Sequence, residues 1–128
     1  MRDRKDLPGS RLAAFVALAA GAGAGLTAAK PTGADLFNQQ CATCHSLNPA
    51  DPPRQGPLLA GVYGRKPGSV AGFHYSPGYA KADFIWDEAH LDPYLTNPQA
   101  VIPDTMMLYK QKNADVRKAI ISFLKEHK

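Results

Sequence analysis

A chain of 128 residues with only two cysteines and a formal net charge of +4 has room for one domain and excludes a disulfide scaffold or a four-cysteine metal site. The four basic and two acidic side chains of residues 1–29 leave only +2 on the remainder, too little for the concentrated basic footprint of a nucleic-acid-binding surface. Residues 30–128 alone offer a limited core, and a domain of that size usually needs a staple.

The chain begins with a positive segment carrying Arg2, Arg4, Lys5 and Arg11. An uncharged stretch from Leu12 to Ala29 follows, with candidate cleavage sites at Ala22-Gly23-Ala24 and Thr27-Ala28-Ala29. This layout predicts a signal peptide over residues 1–29 and an exported domain over residues 30–128. The rival is an uncleaved membrane anchor facing the periplasm. Its apolar run only just reaches the length of a bilayer span, and its second half is rich in Gly and Ala. Both readings put the domain outside the cytoplasm, with the periplasm as the expected location.

Thr32, followed by Asp35 three residues on, predicts a capped helix through Gln40 with Leu36, Phe37 and Cys41 on its apolar side. That helix ends on Cys41-Ala42-Thr43-Cys44-His45, the C-x-x-C-H pattern of c-type haem attachment. Two thiols add to the two vinyl groups on one porphyrin edge, and the adjacent histidine reaches the iron. A thioredoxin-like redox pair needs a βαβ setting, and no buried strand is read nearby. A zinc site wants four tetrahedral ligands, which His45 beside Cys44 does not provide.

From Ser46 to Gly72 the sequence is rich in Pro and Gly and reads as a long ordered loop, uncommon unless it wraps a prosthetic group. Ser76-Pro77 opens a short helix. Another helix lies between Asp87 and Thr96, where Pro93 either starts a fresh first turn or kinks a helix begun at Asp87, and Asn97-Pro98 ends it. Ile102 to Met107 reads as a stiff extended segment. The last helix starts at Asn113 or Asp115, and Val116, Ala119, Ile120, Phe123 and Leu124 share one apolar face. Lys125, His127 and Lys128 suit its C-terminal end. Helices without a convincing strand predict an all-α domain. A thioether is a soft neutral ligand that raises the haem potential relative to a second imidazole, and Met106 and Met107 are both candidates for it.

Beyond C-A-T-C-H, the chain carries G-P-L-L-A-G-V-Y-G-R-K-P-G (56–68), G-F-H-Y-S (72–76), Ile85-Trp86, Y-L-T-N-P (94–98) and I-P-D-T-M-M (102–107). In these ordered blocks the region from about Gly33 to Lys125 resembles a class I cytochrome c of the mitochondrial and soluble bacterial type. The resemblance implies three main helices, short helices and long loops around one haem c attached through Cys41 and Cys44. It implies His45 and Met107 as the axial iron ligands and Pro57 as acceptor for the ring N–H of His45. It also implies Tyr75 and Trp86 as donors to a haem propionate, Arg65 as the charge that offsets propionate, and Tyr94 and Thr105 near the methionine sulfur and an inner propionate. Gly33, Phe37 and Phe123 match the helix-crossing contact of that family.

The implied activity is electron carriage without substrate conversion. The expected form is a monomer without nucleic-acid binding, passing electrons from a bc1-type complex to a terminal oxidase or between photosynthetic partners. Membrane contact is expected only with a retained leader. The rival is an open-site haem protein with peroxidase or gas-binding activity, for which His74 and His90 are the candidate distal histidines. A four-helix cytochrome is disfavoured because its haem motif lies near the C-terminus. Two departures stand out. Asp104 replaces a family glycine, so the preceding turn cannot freely use positive φ. Gln40, Gln99 and Met106 stand where mitochondrial members have lysines, leaving Lys110, Lys112 and Arg54, so docking to an acidic partner is expected to be less salt-sensitive.

Overall fold

The computed structural model describes residues 27–128 together with 9, 14, 16–21, 23 and 25. The predicted leader at residues 1–29 falls mostly outside that set. Among the described residues there are five helices and no strand: α1 (Gly33–Gln40), α2 (Pro77–Lys81), α3 (Glu88–Thr96), α4 (Pro98–Val101) and α5 (Ala114–Glu126). None is long and apolar enough to cross a membrane.

Capping sets where the main helices start. Thr32 Oγ1 accepts from Asp35 N–H at 3.2 Å, and the Asp35 carboxylate accepts from Thr32 N–H at 2.8 Å, closing a reciprocal capping box on α1. The Thr32 N–H and hydroxyl hold the Asp35 carboxyl below its usual pKa. Asp87 accepts from His90 N–H at 3.0 Å and so begins α3, with Pro93 inside the helix. That settles the choice at Pro93: the helix runs through it. The Ala89 carbonyl, which loses its helical donor there, belongs to an exposed residue that water can reach. Asn113 Oδ1 accepts from the N–H groups of Asp115 and Val116 and starts α5. Asn97 closes α3 and also precedes α4, a helix the sequence reading did not separate from the loop beyond it.

The core forms where α1 crosses α5 and where α3 packs on both α4 and α5. A Cβ on Gly33 would lie 2.5 Å from the Ala119 carbonyl oxygen and 2.7 Å from Phe123 Cβ, so the crossing requires glycine. The Phe37 and Phe123 rings meet at 5.3 Å beside it. Ile120, Ile121 and Leu124 are the buried residues of α5; the predicted apolar stripe omitted Ile121, while Val116, Ala119 and Phe123 sit at its partly buried edge. Arg117 binds Asp92 of α3 through Nε at 2.7 Å, and its Nη1 donates to the carbonyls of Gln111 and Lys112. This one guanidinium joins α5, α3 and the loop before α5.

Candidate haem site

α1 delivers the motif to a cavity of about 520 Å³, lined by Cys41, Cys44 and His45 together with Met106 and Met107. Both sulfurs are half-buried on its wall.

The imidazole of His45 is fixed from two sides. Its Nδ1–H donates to the Pro57 carbonyl at 2.7 Å, leaving Nε2 as the ring nitrogen available to a metal. Gly56 lies flat against the ring, where a Cβ would come within 2.6 Å of Nδ1. Burial lowers the His45 pKa, only partly opposed by the Pro57 hydrogen bond, so the ring is neutral as a ligand must be. Gly56 carried no role in the sequence reading; its place directly before Pro57 was the available signal.

Pro57, Arg65, Tyr75, Trp86 and Tyr94 line the same cavity. Arg65 donates from Nη1 to the Ala60 carbonyl and from Nη2 to the Leu58 carbonyl, at 2.9 and 2.8 Å, pinning the loop. A guanidinium has five N–H donors, so three remain for another partner. Burial lowers the Arg65 pKa, with Tyr75 opposing. Tyr75 accepts from Val70 N–H at 3.2 Å, which leaves its own O–H to donate. Trp86 is buried and joined to the Arg65 segment by two backbone bonds, Trp86 N to Arg65 O and Gly64 N to Trp86 O.

Thr105 does not line the cavity. It stands behind the wall in a hydroxyl cluster: its Oγ1 meets the Tyr94 hydroxyl at 3.2 Å, the Tyr79 hydroxyl more closely, and accepts from Met107 N–H at 3.2 Å. Tyr79 and Tyr94 hydroxyls lie 2.6 Å apart. Burial drives the Tyr94 pKa far up, so it remains a neutral phenol. Tyr79 was not singled out in the sequence, because it is one aromatic in a five-residue helix without a motif around it.

The two methionines differ sharply. Met106 is 85% exposed, whereas Met107 packs against the core and its carbonyl accepts from Gln99 Nε2 at 3.0 Å. Of the other histidines, His74 lines the cavity on an exposed loop; His90 does not, and is instead paired with Asp87 at 2.6 Å and stacked on Phe84. The cavity tests well for a porphyrin: two thiols and a neutral imidazole lie along walls made by Leu59, Val62, Leu91, Leu95, Ile120 and Leu124. That mix of ligands and apolar lining suits a flat apolar group with a metal at its centre.

The family model described as "Cytochrome c" matches residues 31–128. The chain belongs to the cytochrome c family. It is 41% identical over 98 residues to cytochrome c2 of Rhodomicrobium vannielii, covering 76% of this chain and 78% of that protein. Similarity to cytochrome c2 iso-2 of Magnetospirillum molischianum is 45% over 86 residues, 66% of this chain and 88% of that one. With cytochrome c of Theileria annulata it is 41% over 95 residues, 73% and 82%. As a cytochrome c, the protein is a monohaem electron carrier rather than an enzyme, and it carries one haem c bound covalently through Cys41 and Cys44. Its partners are redox proteins.

Proposed function

We propose that this cytochrome c is exported to the periplasm after removal of residues 1–29 and shuttles single electrons through a haem ligated by His45 and Met107. The observation that carries the ligation is the pairing of a neutral imidazole, offering only Nε2, with a half-buried methionine on the same cavity. The exposure of Met106 favours Met107. The haem supplies a one-electron ferric/ferrous couple when both axial positions are filled. Pro57 and Gly56 hold the imidazole plane, Arg65, Tyr75 and Trp86 offer donors to propionate, and Tyr94 with Thr105 holds the Met107 segment. None of these residues acts as an acid–base catalyst.

Donor and acceptor are read as a bc1-type complex and a terminal oxidase, the latter replaceable by a photosynthetic partner. Two of the positions that carry lysine in mitochondrial relatives have inward duties here. Gln40 Oε1 accepts from the Tyr109 hydroxyl and from Gln111 Nε2, and Gln99 holds the Met107 carbonyl. Docking is therefore expected to rely less on charge and to depend weakly on ionic strength.

Intact mass and the ferric absorption spectrum of protein matured in an exporting host test this reading together. Mass is expected to show one added haem and loss of the leader. The sulfur-to-iron charge-transfer band is expected in wild type and Met106→Ala and absent from Met107→Ala. A band lost in Met106→Ala instead moves the ligand by one residue. A wild type without the band, with fast binding of carbon monoxide or peroxide, favours the open-site reading.

A further inference from the structure

The segment that carries Met107 is tied to α2 at two separate points, through Asp104 and through Tyr79. At one point Asp104 accepts from Ser76 Oγ at 3.0 Å through Oδ1 and from Gly78 N–H at 2.8 Å through Oδ2. Ser76 makes no side-chain cap on its own helix, so the carboxylate 26 to 28 residues away takes up the donors that open α2. Gly78 admits it: a Cβ there would collide with Asp104 Oδ1 and lie 3.0 Å from Ile102 Cγ2. At the other point the Tyr79 hydroxyl meets those of Tyr94 and Thr105, and Thr105 in turn accepts from Met107 N–H.

We propose that α2 is the brace of the Met107 segment, with Asp104 and Tyr79 as its two positioning residues. The proposal rests on the reading of Met107 as iron ligand and extends it. Three hydroxyls in mutual contact carry three protons, one for each edge of the triangle, so the cluster satisfies itself without a donor aimed at the sulfur. Its outward role is then mechanical: Thr105 is held by two phenols, and residue 107 hangs from Thr105. Asp104 fixes the same segment three residues earlier. The segment between Ile102 and Met107 has no regular helix or strand to stiffen it, and the internal Thr105 N to Ile102 O bond spans only its first turn. Without α2 the methionine would leave the iron more readily.

Imidazole, which displaces a methionine from ferric haem, reads that tendency directly. Tyr79→Phe keeps the ring packed beside that of Tyr75 and removes one hydroxyl; ferric protein is expected to bind imidazole about tenfold more tightly, the scale of a part-buried hydrogen bond. Asp104→Ala is expected to give a severalfold gain, smaller because Asp104 is exposed and its bonds are screened by water. Asp104→Asn, which keeps one acceptor, is expected to restore part of the difference. The charge-transfer band should persist in all three and weaken on heating at lower temperatures than in wild type. Should Asp104→Ala not mature, Tyr79→Phe carries the test, since it removes one oxygen and adds nothing. Unchanged imidazole affinity in variants whose wild type shows the band overturns the brace alone; a wild type lacking the band overturns the Met107 assignment beneath it.

Discussion

The two walls of the haem cavity are built on different principles. On the His45 side, thiols and imidazole lie within five consecutive residues at the end of one helix, and the bracing comes from Gly56 and Pro57, 11 and 12 residues on. On the Met107 side, one short segment is held by α2, by Tyr94 of α3 and by Gln99 of α4. The first wall is nearly a local structure and resists change by steric contact. The second is assembled from hydroxyls and amides on three helices, from Gln99 eight residues before Met107 to the residues of α2 and its cap 26 to 28 positions from their partners, so it yields in small steps. Under the proposed ligation, His45 would be the ligand held by steric contact and Met107 the one held by adjustable hydrogen bonds.

The largest effect is expected where both walls share a floor. Ile120 is fully buried and lines the cavity, so Ile120→Ala should cost about 2–5 kcal/mol in guanidinium unfolding of the haem-loaded protein. A loss well under that range would mean that haem, and not the α5 face, carries the stability of both walls.

Gly56→Ala breaks the His45 wall selectively. The added methyl group must displace the ring or the loop, an overpacking cost of about 1–3 kcal/mol, with a shifted Soret band in the ferrous spectrum. An unchanged spectrum and midpoint would show that the wall is softer than its contacts imply.

Thr32→Ala, far from either wall, should lower stability by about 1 kcal/mol through loss of the α1 capping box and leave the potential unchanged. A changed potential would mean that α1 transmits strain to His45.

The smallest and most diagnostic effect is with pH. Asp35 and Asp87 have lowered carboxyl pKa values, the second through its bond to His90, so their contribution is kept above the usual carboxyl value of 3.8 and lost only in stronger acid. Guanidinium midpoints of the haem-loaded protein should therefore hold level from neutrality and begin to fall only as pH approaches about 3.8. A fall that begins well above that value would mean that groups other than these two carboxylates set the acid response.

Much of this was readable in the order of residues. Thr32 and Asp35 announce a helix start, and Cys41 to His45 announces its cargo, because the interacting atoms are three or four residues apart and few chain conformations compete. The apolar stripe of α5 was legible because it depends on a helical repeat, whereas Gly33 was placed at the helix crossing through its match to the family. The aromatic and basic residues expected at the cofactor could be assigned to the cavity through family blocks, whereas Thr105 turned out to stand one layer behind it. α4 escaped notice because four residues after an Asn-Pro pair give no periodicity to read.

Asp104 marks the boundary. As a residue type it signalled only the loss of glycine's freedom; that its carboxylate would take up the Ser76 hydroxyl and the Gly78 N–H depends on two loops meeting after folding. The sequence by itself determined the helices other than α4, the attachment motif and the family, since those reside in short-range spacing. Which methionine packs inward, which hydroxyls cluster around Thr105 and what braces the second wall were decided only by tertiary structure, because hydrogen bonds between residues 8 to 28 positions apart leave no periodic trace along the chain.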